Sequence, residues 1–260
     1  MKGNFFYIFF VSLLFFVLKN IFEASIIKAE NSDIWLSLFL FILPIFFILE
    51  VIVRIVFINL MMEQRPILLD DLSQEKLKDI YVEKLNRYTF ELEKLGFEKL
   101  TDFTYPSVKG LGRLFKHDKY QCLAEVSQVN DTDVFCSIHS RLNSDWFLSL
   151  TNIALNPGVE ACYFAFMSQP KIIFKRIENA SVDLLLTSLI EWRKQVKNKL
   201  CLEVVPVENA DTYFHWENKK RSLQRKGLSK KSITLSAILA FFYSFKTRNE
   251  WLGKYAKLSK

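Results

Sequence analysis

The sequence predicts an α+β fold: an antiparallel β-sheet domain with two packing helices, preceded by an N-terminal transmembrane helical hairpin and followed by a basic tail. Three observations carry this. Two long apolar runs fill most of residues 1–62, the next hundred and fifty residues alternate between helical and strand periodicity, and the positive charge collects at the end of the chain.

The apolar runs come first. No charged residue lies between Phe5 and Leu18, and none between Ile34 and Leu49. A hydrocarbon core of about 30 Å needs roughly 20 residues at about 1.5 Å each. Spans are therefore expected at about 5–22 and 34–57. In the second, Glu50 and Arg54 fall near an interface, four apart on one helix face, and read as an anchor. The first run is short and follows Lys2, so it is either a retained span or a cleaved signal sequence. Both readings leave the remainder on the cytoplasmic side of an integral membrane protein, and the distribution of Lys and Arg between the loops agrees.

Arg65-Pro66 ends the second span, because proline cannot continue a helix. The domain is expected over residues 66–218. Asp71 with Gln74 resembles a capping box. Leu77, Tyr81, Leu85, Tyr88, Leu92 and Leu95 then form one stripe of an amphipathic helix that Gly96 stops. Strands follow at Arg113–His117, Tyr120–Val129, Val134–Leu142 and Trp146–Ile153, joined by links too short for crossover helices. Another is expected at Ile172–Ile177. Ser181 caps a second helix whose inward face is Val182, Leu185, Leu189, Trp192 and Val196, and Cys201–Val207 adds a last strand. The two helices cover one face of the sheet.

The order of residues Gly96-Phe97, Leu100, Asp102-Phe103, Arg113-Leu114-Phe115 with His117, Cys122-Leu-Ala-Glu-Val126, Asp145-Trp146 and Leu150-Thr151-Asn152 resembles a family of uncharacterised membrane-anchored proteins from cyanobacteria. The resemblance covers about Leu95 to Asn152. It implies a bacterial inner or thylakoid membrane and brings no activity and no catalytic residue.

Residue chemistry excludes several function classes. Cys122, Cys136, Cys162 and Cys201 form no C-x-x-C and read as free core thiols of a reducing compartment. Cys136 and His139 are three apart on a strand, hence on opposite faces, and cannot share a metal ion. Gly-x-Ser-x-Gly is absent, His117-Asp118 reads as a solvated turn, and Gly110-Leu-Gly112 reads as a hairpin turn rather than a phosphate cradle, so neither a catalytic residue nor a cofactor is expected. His139 and Arg141 share a strand face with Ser137, which makes them the candidate contacts for an anionic ligand.

The tail, residues 219–260, holds twelve Lys and Arg against Glu250. Lys219, Lys220, Arg221, Arg225, Lys226, Lys230 and Lys231 precede an apolar stretch read as an interfacial helix over residues 232–246. With Phe241, Phe242, Phe245 and Trp251 they form the candidate membrane-surface set. A helix packed on the protein itself is the alternative. The function expected is a membrane-anchored binding or scaffold module with the lipid bilayer and an unidentified protein as partners. Its rivals are an enzyme acting on a membrane-proximal or lipid substrate, and a tether that holds nucleic acid through the basic tail.

Overall fold

The structure, a computed structural model, describes residues 50–52, 55, 66–69, 82–104, 110–129, 133–207, 209–245 and 250–258. The chain divides into two compact units, Met1–Ile52 and Val53–Lys260, and the elements below belong to the second. They form one eight-stranded sheet with neighbours in chain order. Its strands are β1 (Ile67–Leu69), β2 (Glu98–Thr104), β3 (Gly110–His117), β4 (Cys122–Val129), β5 (Phe135–Leu142), β6 (Trp146–Thr151), β7 (Ile172–Arg176) and β8 (Glu250–Trp251). The helices are α1 (Val82–Lys94), α2 (Pro157–Cys162) continuing into a π-helical turn at Tyr163–Met167, α3 (Val182–Leu200), α4 (Ala210–Ser229), α5 (Ile233–Ser244) and α6 (Tyr255–Leu258).

The meander β2 to β6 is antiparallel, as the short links require. The β5–β6 link turns on Ser144 and Asp145, both at positive φ, as a type I′ turn demands. β7, by contrast, runs parallel to β6, because α2 and the π turn carry the chain back across the sheet before it re-enters. The sheet is therefore mixed. Cys201–Val207 supplies only an isolated bridge from Val204 to Leu142. Gly110-Leu-Gly112 lies within β3, not in a turn. There Gly112 gives room to the Phe103 ring, which a Cβ would approach to 2.3 Å.

The first sheet face is apolar. Leu111, Phe115, Ala124, Val126, Ile138, Leu148, Leu150 and Ile173 pack beneath α1, through Leu85 and Leu92, and α3, through Val182, Leu185, Leu189, Trp192 and Val196. α1 ends in a Schellman motif: Gly96 takes φ +91°, its N–H donates to Glu93 O and the Phe97 N–H donates to Leu92 O. Asn152 ties the layer together. Its Oδ1 accepts from Cys136 N at 2.8 Å, and its Nδ2 donates to Ala180 O and to Tyr88 Oη at 2.9 and 3.0 Å.

The second face is covered too, where two helices on one face are expected. α4 lies over it, and Tyr213, Phe214 and Trp216 pack on Phe103, Leu114, Leu123, Phe147 and Ile172. α4 runs through the position where the basic segment begins. Beyond it α5 buries Ile233 and Ala240 against Ala165, Phe166 and Leu228.

Among the described residues, no helix is long and apolar enough to cross a membrane. This overturns the expected transmembrane class and the placement as an integral membrane protein. α3 and α4 have 19 and 20 residues but each carries a charged face. α5, the most apolar, has 12 residues, about 18 Å of rise against a core of about 30 Å. The runs expected as spans at about 5–22 and 34–57 lie outside the described residues except at 50–52 and 55, as does the Asp71–Gln74 capping box.

Because Asn152 satisfies three separate groups across β5, α1 and the start of α3, Asn152→Ala leaves buried polar atoms unmatched. It is expected to lower unfolding stability by about 2–4 kcal/mol, read from urea denaturation. A loss below about 0.5 kcal/mol would show that these bonds do not hold the layer.

Candidate functional site

Strand alternation places Glu125, Ser137, Thr151 and Arg176 on the second face, and the register sets them opposite one another on β4, β5, β6 and β7. They make a polar row that crosses four strands, met by Tyr213 of α4 at its Glu125 end and by Glu160 of α2 at its Arg176 end. His139 and Ser149 form the next pair on the same face. The row is closed by hydrogen bonds: Ser137 Oγ donates to Thr151 Oγ1 at 2.8 Å, and Arg176 Nη2 donates to Glu160 Oε2 at 2.9 Å. The Glu125 carboxylate accepts from Ser127 Oγ and from Tyr213 Oη.

α4 is built to meet this row. Asn209 caps it by accepting from Thr212 N. Tyr213, Glu217, Lys220, Gln224 and Leu228 then recur at three or four residues and share the inward face. Lys220 Nζ donates to Glu217 Oε1 and lies 4.8 Å from the centroid of the Phe147 ring. His139 sits among Phe147, Tyr213 and this pair, 6% exposed, and its Nδ1 has no hydrogen-bond partner among the described residues.

Burial sets the electrostatics. It pushes the His139 imidazole down to about 4, the positive Lys220 adding to the effect and Glu217 opposing it. Burial likewise raises the Glu125 carboxyl against its two hydrogen bonds. For Glu217 burial acts upward, but the charge and hydrogen bond of Lys220, with His139 and Arg221, bring it below the ordinary carboxylate range. Tyr163, on the π turn, is raised by burial.

At the edge of this layer lies a cleft of about 30 Å³, lined by Arg141, Asp145, Trp146, Phe147, Ile172, Trp216, Lys219, Lys220 and Leu223. Arg141 stands over the Trp216 ring at 5.0 Å and its Nη2 is 3.6 Å from Asp145 Oδ1, an ion-pair distance beyond hydrogen-bond reach. Lys219 Nζ donates to the same oxygen at 2.6 Å. The Trp216 Nε1–H is buried and has no hydrogen-bond partner among the described residues.

The two residues expected to contact an anionic ligand thus part company. His139 is sealed beneath α4, whereas Arg141 reaches the cleft. Cys136 packs in the first-face core, across the sheet from His139. Among the described residues no three His, Cys, Asp or Glu side chains stand together as metal ligands would. Cys122 and Cys136 are buried, but Cys162 is half-buried and Cys201 is exposed at positive φ where α3 ends, so these two are not core thiols.

The set expected at a membrane surface divides as well. Lys219 and Lys220 line the cleft, and Lys231 Nζ donates to the carbonyls of Ala165, Phe166 and Ser168 at the end of the π turn. Arg221 and Arg225 are half-buried along α4, and Lys226 and Lys230 are exposed. Phe241, Phe242 and Phe245 are exposed on α5. Trp251 lies in β8, where its indole donates to Gln169 O at 3.0 Å and stacks on Phe164. Sequence reasoning missed Trp216, Glu217 and Asp145. The recurrence of Tyr213, Glu217, Lys220, Gln224 and Leu228 was the available signal for an inward face on α4.

Comparison with family models, with curated proteins and with solved structures returns no match, so the reading of the site stands on its geometry.

The His139 shift has a sign that can be measured. A folded-state value near 4 lies below the unfolded value of about 6.5. The contribution is therefore complete above pH about 6.5 and is lost as pH falls toward 4, by up to about 3 kcal/mol. Glu125 titrates with the opposite sign, so the comparison is between proteins: His139→Gln should flatten the pH 7 to pH 4.5 dependence of the urea midpoint. An unchanged slope would sink the assignment.

Proposed function

We propose that the chain is a binding module rather than an enzyme, and that it engages an anionic group of a partner at the rim of the seam between sheet and α4. One observation carries the reading. The Arg141 guanidinium is stacked on Trp216 beside Lys219 and Lys220, faces the cleft, and makes no hydrogen bond among the described residues. Arginine's planar fork suits an oxyanion, and a stacked guanidinium loses little freedom on binding.

The enzyme reading is weaker for a physical reason. An acid–base residue must reach the proton it moves, and His139 and Glu217 are buried between the sheet and α4, where Tyr213 of α4 also holds Glu125. The nucleic-acid reading loses some of its charge, since Lys219, Lys220 and Lys231 are engaged within the fold.

The test is titration of the full chain with an acetylated hexaglutamate peptide and with a single-stranded oligonucleotide, at matched ionic strength. Replacing Arg141 and Lys219 together by Met should weaken binding of the peptide about tenfold or more with the circular dichroism spectrum unchanged. Binding that survives the double substitution would move the contact away from the cleft. Oligonucleotide binding lost on Lys226→Glu and Lys230→Glu instead would favour the nucleic-acid reading.

A further inference from the structure

We propose that the cleft beside Arg141 recognises a carboxylate, that Asp145 is its resident occupant, and that an acidic side chain of a partner takes the place of Asp145. The proposal rests on the binding-module reading above and names the chemistry of its ligand. The structure already contains a carboxylate on the cleft's cations. Asp145 projects from the β5–β6 turn, accepts from Lys219 Nζ at 2.6 Å and lies 3.6 Å from Arg141 Nη2. Lys171, fixed to Ser144 O at 2.9 Å, adds a further positive charge nearby.

This occupancy is incomplete. Arg141, Lys219 and Lys220 face Asp145 and Glu217, which leaves one positive charge uncompensated before Lys171 is included. At 3.6 Å the Arg141 fork does not hydrogen-bond Asp145. A carboxylate brought closer to Arg141 accepts from its fork, which Asp145 does not do from its turn.

The resident group selects among oxyanions: Lys219 and Arg141 already stand about a carboxylate, so an acidic side chain replaces Asp145 like for like. Asp145 is 41% exposed on its side chain, and swinging it outward leaves the sheet intact.

The decisive variant is Asp145→Asn in the full chain. Asn tolerates the positive φ at this position, so the turn is retained while the competing charge is removed. Titration with the acetylated hexaglutamate peptide should show about tenfold tighter binding than the unsubstituted chain. Adding Arg141→Met to that variant should abolish the gain, and inorganic phosphate at equal ionic strength should bind neither protein measurably. If Asp145→Asn binds the peptide no more tightly, Asp145 is not an occupant and the proposal fails, although peptide binding lost on replacing Arg141 and Lys219 leaves the binding-module reading standing. Phosphate binding tighter than the peptide overturns the choice of carboxylate, and no binding of either probe to any form overturns both readings.

Discussion

The bond from Tyr213 to Glu125 is the contact on which the second half of the molecule depends. A carboxylate in the middle of a sheet face has to be matched once a helix covers it. Ser127 supplies one donor from the same strand and Tyr213 supplies the other from α4. That second bond fixes both the rotation and the position of α4 along its axis. Three and seven residues further on, Trp216 and Lys220 then come to rest against Arg141 and Phe147. The cleft is thus a by-product of satisfying Glu125, and its cations lie where that bond puts them.

The two faces of the sheet divide the tasks of the fold. On the first face, side chains such as Ile138, Leu148 and Leu150 meet Leu185, Leu189 and Trp192 in contacts that are non-directional. At about 1.5–3 kcal/mol for each buried large aliphatic side chain, this layer stabilises the domain. The second face has polar groups at its centre and aromatic residues around them. Its contacts are directional, so they specify where α4 lies more than they add to stability.

Legibility in the sequence followed how local the determining physics is. The meander from β3 to β6 could be read because strand alternation and short turns are properties of neighbouring residues, and the inward stripe of α3 matched Val182, Leu185, Leu189, Trp192 and Val196. Alternation also assigned His139 and Arg141 to one face correctly, but nothing in β5 says which helix covers that face or where its edge falls. α4 was obscured by its own lysines and arginines: charge dominated the composition, and the boundary set at residue 218 cut the row from Tyr213 to Leu228 in two, leaving Lys219 onward to read as a tail. The parallel entry of β7 was hidden because strand direction is set by α2 and the π turn, a connection whose apolar residues, Phe164 to Met167, have no strand or ordinary helical signature. Nothing beside Asp145 in the sequence signals its ion pair, since its partner Lys219 lies on an element far along the chain.

The strand β8 has a kinetic consequence. It pairs with β7 at Phe174–Trp251 and Lys175–Glu250, yet α3, α4 and α5 intervene between the two strands. Neighbouring strands of the meander can zip after closing short loops, whereas this pairing must wait for a long one. Until it forms, the β7 edge offers its unpaired backbone groups to any other extended chain. The short strand at the end of the chain therefore acts as a guard against intermolecular association, and the interval before it docks is when nascent or refolding molecules are most exposed to one another.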